Sequence, residues 1–92
     1  MFEKLKQIKD LRDQAKQMQN VLGQEIVTVD RNGCTLTMNG NQEVLNLKLN
    51  PELDHEKTAK VLVDLFNDAI KEIQKKIAMK MKDGSIQMPN IF

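Results

Sequence analysis

Apolar residues recur at helical spacing through the first quarter of the chain. Between residues 2 and 22 they are Phe2, Leu5, Ile8, Leu11, Ala15, Met18, Val21 and Leu22. Ile8, Leu11, Ala15, Met18 and Leu22 step by three, four, three and four, the seam of a heptad repeat. Gly23 is a suitable residue to end the helix. A helix of about twenty residues with so narrow a stripe is marginal alone in water. It requires a partner, and a second copy of the chain can supply one.

From Glu25 to Leu49 the period changes to two. Val27 and Val29 alternate with Thr28 and Asp30; Cys34, Leu36 and Met38 alternate with Thr35, Thr37 and Asn39; Leu45, Leu47 and Leu49 alternate with Val44, Asn46 and Lys48. One face is apolar and the other polar, the pattern of an antiparallel sheet packed on one side. Asn32-Gly33 and Asn39-Gly40 separate the three runs. Asn-Gly suits the type I′ hairpin turn, whose two central residues both take positive φ. The centre of the chain is therefore a three-stranded meander.

Asn50-Pro51 ends the third strand, because proline donates nothing to a ladder. Asp54 is placed to cap a second long helix, with Glu56 in its first turn. Val61, Leu62, Leu65, Phe66, Ala69, Ile70, Ile73, Ile77 and Met81 make a broad stripe of the width that packs on a sheet. Asp83-Gly84-Ser85 ends that helix, and the tail Ile86–Phe92 is expected to be irregular. The fold class predicted is α+β: one domain over 1–85, an α-β-β-β-α protomer with the antiparallel meander flanked by two long helices. The two helical stripes exceed what one small sheet face can cover, so a homodimer is expected.

Charge modifies this picture by its placement. The 92 residues carry a formal net charge of only +1. Residues 1–23 hold five basic and three acidic side chains, and 69–82 hold five and one. The intervening 24–50 hold two and three, and 51–68 hold two and five. The ends are basic and the centre acidic, which guides a polyanion to particular faces. Cys34 is the single cysteine, which excludes an internal disulfide and fits a reduced, cytoplasmic setting. Neither a signal peptide nor a membrane span is expected, since no window approaches about 18 apolar residues.

Enzymatic chemistry finds little support. His55, the single histidine, falls at a predicted helix start, ordinarily a solvated turn, and a general base needs a partner and a pocket. Cys34 has no thiolate-stabilising neighbour in sequence. Asp64 and Asp68, one turn apart, are ordinary solvated helix charges rather than a metal site. The glycines form no phosphate loop. No catalytic residue, metal or cofactor is expected.

What remains is cationic helix surface. Lys9, Arg12 and Lys16 line one side of the first helix, and Lys6 lies a turn from Lys9. On the second, Lys71 and Lys75 share a side, and Lys76 and Lys80 share the next. Solvated lysine is the ordinary explanation, whereas contact with phosphates is the functional one and needs only such side chains. Three phenylalanines without tryptophan or tyrosine provide no platform for stacking bases. Any nucleic-acid partner is thus the duplex backbone.

Four segments carry a family resemblance: Ala15-Lys16-Gln17-Met18-Gln19, the strand Gly33–Met38 with Asn39-Gly40, Leu47-Lys48-Leu49-Asn50-Pro51-Glu52-Leu53, and Leu62-Val63-Asp64-Leu65-Phe66-Asn67-Asp68-Ala69. With the order of elements, they resemble the YbaB/EbfC family of small bacterial nucleoid-associated proteins. The resemblance implies a tight homodimer that binds double-stranded DNA on the nucleoid in the bacterial cytoplasm. The family ties its DNA contacts to no fixed motif, so the candidates rest on charge position. They are Lys4, Lys6, Lys9, Arg12 and Lys16 of the first helix, and Lys71, Lys75, Lys76, Lys80 and Lys82 of the second. The rival expectation is a protein–protein adaptor of the replication or recombination machinery.

Overall fold

The computed structural model describes residues 2–86, with side chains described from residue 6 onward. Its elements are α1 (Phe2–Gly23), β1 (Ile26–Arg31), β2 (Cys34–Asn39), β3 (Val44–Lys48) and α2 (His55–Lys82). The strands form one antiparallel sheet in the order β1-β2-β3. This is the α-β-β-β-α arrangement that the alternating periods predict. Lys4 and the tail from 87 to 92 lie outside the residues whose side chains are described.

Register sorts the side chains between two faces, since residues directly opposite in an antiparallel pair share a side. Val27 faces Met38, Val29 faces Leu36, and Arg31 faces Cys34. Across the other ladder Leu36 faces Leu47 and Met38 faces Val44. The second face pairs Thr28 with Thr37, whose hydroxyls are 3.0 Å apart. A register shift at Thr37/Met38 puts Val44 opposite Met38. The strict alternation expected of Leu45, Leu47 and Leu49 against Val44 is therefore broken by a bulge.

The two Asn-Gly turns also differ. Asn32 and Gly33 have φ of 51° and 82°, the pair of left-handed residues that a type I′ turn requires. The second hairpin uses a three-residue loop instead. Gln42 donates to the Asn39 carbonyl at 2.9 Å, Asn39 donates to the Glu43 carbonyl at 3.0 Å, and it is Gln42 that takes positive φ, at 60°. Gly40 is needed for close approach. Its N–H donates to the Leu22 carbonyl at 2.9 Å, and a Cβ there would stand 2.3 Å from that oxygen. Asn41 adds a bond from Nδ2 to the Gln19 carbonyl at 2.9 Å. The last turn of α1 is thereby fastened to the β2–β3 loop, the Leu22 carbonyl being one that a helix end leaves open.

Beyond that fastening α1 projects. Ile8 and Leu11 are 51% and 50% exposed. The molecule measures 61 × 30 × 15 Å, with a radius of gyration of 17.7 Å, against about 12 Å for a compact domain of this length. The core lies elsewhere, between the sheet and α2. Cys34, Leu36 and Met38 of β2 pack with Val61, Leu65, Ala69 and Ile73 of α2, flanked by Val27 and Val29 of β1. Asp54 caps α2, its carboxylate accepting from the Lys57 N–H at 2.8 Å. Because α2 packs on β1 and β2, β3 is left uncovered, with Leu45 and Leu47 at 51% and 38% exposure.

Polar clasps tie α2 to the first strand at both ends. Arg31 donates from Nε and Nη2 to Asp68 Oδ2 at 3.1 and 2.9 Å, and from Nη1 to Asp64 at 3.4 Å. Lys76 Nζ donates to the Ile26 carbonyl at 2.7 Å, and Lys80 bonds both carboxylate oxygens of Glu25. Past the helix Gly84 takes φ of 82°, and Ile86, the start of the tail expected to be irregular, is buried with its N–H on the Lys80 carbonyl at 3.2 Å.

Two stability effects are expected. Gly40→Ala forces the β2–β3 loop off the end of α1 and lowers the unfolding free energy by about 1–3 kcal/mol, read as a shifted denaturant midpoint. Lys80→Met strands the Glu25 carboxylate, whose side chain is 10% exposed, and costs about 1–3 kcal/mol in the same measurement. An unchanged midpoint in either variant contradicts the corresponding interaction.

Candidate nucleic-acid interface

The described cations of α1 stand in solvent. Lys6, Lys9, Arg12 and Lys16 are all exposed on the projecting helix, and among the described residues none forms an ion pair. Asp10 and Asp13, also exposed, lie on the neighbouring side of the helix. The helix turns about 100° per residue, which sets the row Lys9–Arg12–Lys16 beside the apolar seam on one flank and those two acids beyond it on the other. An arm carrying charge on one flank can approach a polyanion without moving the folded core.

The α2 lysines divide. Lys71, Lys75 and Lys82 are exposed. Lys76 and Lys80 turn inward onto the Ile26 carbonyl and the Glu25 carboxylate. Helical geometry gives the reason: they follow Ile73 by three and seven residues and so prolong the buried line Leu65, Ala69, Ile73. A long stem lies along the sheet while its ammonium reaches a polar partner. That continuation is visible in the sequence, where grouping Lys76 with Lys80 as an outer pair overlooks it. Lys71 is exposed but shares a shallow groove with Val29, Asp30, Asp68 and Glu72, three carboxylates around one ammonium.

Sequence reasoning also missed Arg31. Its register opposite Cys34 puts it on the helix-bearing face, where Asp64 and Asp68 are its ion-pair partners at 3.4 and 2.9 Å. Those two acids are thus occupied by a guanidinium. Among the described residues no three histidine, cysteine, aspartate or glutamate side chains converge as metal ligands. Cys34 is fully buried and His55 is exposed in the first turn of α2. A second shallow groove, between the β1–β2 turn and the start of α2, is lined by Arg31, Asn32, Leu53, Lys57, Lys60, Val61 and Asp64. Among the described residues no helix is long and apolar enough to cross a membrane.

Comparison with known proteins gives one consistent result. The family model of the YbaB/EbfC DNA-binding family matches residues 1–88. A nucleoid-associated protein of Mycoplasmopsis pulmonis is 31% identical over 88 residues, covering 96% of this chain and 88% of that protein. One of Dictyoglomus thermophilum is 29% identical over 100 residues, covering 99% of this chain and 96% of its own length. A third, of Syntrophobacter fumaroxidans, is 28% identical over 98 residues, covering 98% and 89%. With helix, antiparallel meander and helix in the same order as the resembling segments, the chain belongs to the YbaB/EbfC DNA-binding family.

Proposed function

We propose that this protein is a non-enzymatic, nucleoid-associated homodimer that grips duplex DNA by its phosphates with little sequence preference. The observation that carries the proposal is the exposed cationic row on the projecting α1. Lys6, Lys9, Arg12 and Lys16 neutralise phosphates there, with Lys4 at the head of the same helix and Lys75 and Lys82 adding contacts from α2. Lys76 and Lys80 serve the fold, and Lys71 contributes little among its carboxylates. Such contacts position a protein on DNA without reading base edges. The names of the bacterial relatives, each a nucleoid-associated protein, support a place on the nucleoid.

Dimerisation follows from the apolar surface that one protomer leaves bare. Val44, Leu45, Leu47 and Leu49 beside β2, Phe66 of α2, and Ile8 and Leu11 of α1 are all at least one-third exposed. Large apolar side chains left bare in this number point to an interface, and β3 also presents an unpaired edge. Two copies meeting there bring two cationic arms into one assembly, doubling the charge available to a single duplex.

Duplex affinity is expected to fall with salt at a log–log slope of roughly −0.9 per phosphate neutralised. A slope near zero in a titration of the wild-type protein overturns the phosphate reading. Leu47→Asp, which puts a charge on the bare strand while sparing the buried core, is expected to give a monomer by light scattering at micromolar concentration. A dimer that survives this change is not built on β3.

A further inference from the structure

We infer that the groove between the β1–β2 turn and the first turns of α2 is a second DNA-backbone site, in which Lys57 and Lys60, beside Arg31, receive a phosphate. This rests on the reading of the chain as a duplex-DNA binder and adds a site away from α1.

Charge decides between the two grooves that flank the Arg31 clasp. The one at the start of α2 is lined by Arg31, Lys57, Lys60 and Asp64; Arg31 is paired with Asp64 and Asp68, which leaves Lys57 and Lys60 as the two unpaired cations there. The one farther along α2 holds Lys71 with Asp30, Asp68 and Glu72, one cation to three anions. A phosphodiester is attracted to the first and repelled by the second. Arg31 holds Asp64 and Asp68 together and offsets one of their two charges, so the two free lysines outweigh the one acid charge left over.

Lys57 and Lys60 themselves are exposed, and among the described residues neither ammonium makes an ion pair or a hydrogen bond. The nearest acids of the first turn do not capture them. Asp54 spends its carboxylate on the Lys57 backbone N–H at 2.8 Å, and Glu56, one turn before Lys60, forms no ion pair with it. Asn32 and the β1–β2 turn close the far wall of the groove. The turn is pinned there by Asn50, whose Nδ2 donates to the Asn32 carbonyl at 3.0 Å. The groove also lies at β1 and the turn that follows it, at the edge of the sheet opposite β3. A second copy seated on β3 therefore leaves it open to solvent.

Two double variants that remove equal charge test the site: Lys57→Gln/Lys60→Gln and, at exposed lysines given no part in the grip, Lys48→Gln/Lys71→Gln. Each is titrated with a short duplex across a salt series, after circular dichroism has verified the fold. The first is expected to lower the magnitude of the salt slope by about 0.9 for each phosphate no longer neutralised, and the second to change it less. Lys57→Arg/Lys60→Arg, which keeps both charges, is expected to retain the wild-type slope. Equal effects of the two glutamine pairs, or an unaltered slope in Lys57→Gln/Lys60→Gln, overturn this site while leaving duplex binding through α1 intact. A wild-type protein with no duplex affinity overturns the underlying reading instead.

Discussion

One helix cannot roof three strands, and the form of this protein follows from that limit. An α-helix with its side chains is about 10–12 Å across, and strands lie about 4.8 Å apart, so α2 shields roughly two of them. It packs on β1 and β2, where Cys34, Leu36 and Met38 meet Val61, Leu65, Ala69 and Ile73. Ala69 is fully buried at the middle of that line; its small side chain lets the helix approach the sheet. The leucines of β3 are apolar for a cover that the protomer does not possess.

The same limit makes α1 an arm rather than a layer. With α2 already on the apolar face of β1 and β2, and threonines, Asn46 and Lys48 on the opposite face, the sheet offers α1 no apolar bed of its own width. Its attachment is instead a backbone matter. Gly40 and Asn41 hold the Leu22 and Gln19 carbonyls, and the absence of a side chain at Gly40 permits that approach. Held at one end by these bonds, the helix leaves its length and its described charges in solvent.

Cations of one chemical type end up with opposite duties. Arg31, Lys76 and Lys80 bind α2 to the first strand and the residue before it, and their donors are engaged within the molecule. Lys6, Lys9, Arg12 and Lys16 have no such partner among the described residues. The division is geometric: long basic side chains that continue a buried line reach inward, and those that continue a polar face remain outside. Arg31 also bridges Asp64 and Asp68 of α2, offsetting one of their two charges.

The sequence by itself determined the order of elements, the cap at Asp54, the type I′ turn at Asn32-Gly33 and the apolar face of β2, because each depends on period or on neighbours in the chain. The family was legible too, in segments that keep their spacing. Only the tertiary structure decided that β3 stays bare, that Val44 rather than Leu45 sits opposite Met38, and that Gly40 serves a helix end rather than a hairpin turn. It alone separated Lys76 and Lys80 from the exposed lysines and gathered Arg31, Lys57 and Lys60 around one groove. Those outcomes join residues tens of positions apart, and which distant groups come within reach is fixed by how helix packs on sheet, a relation that local spacing does not encode.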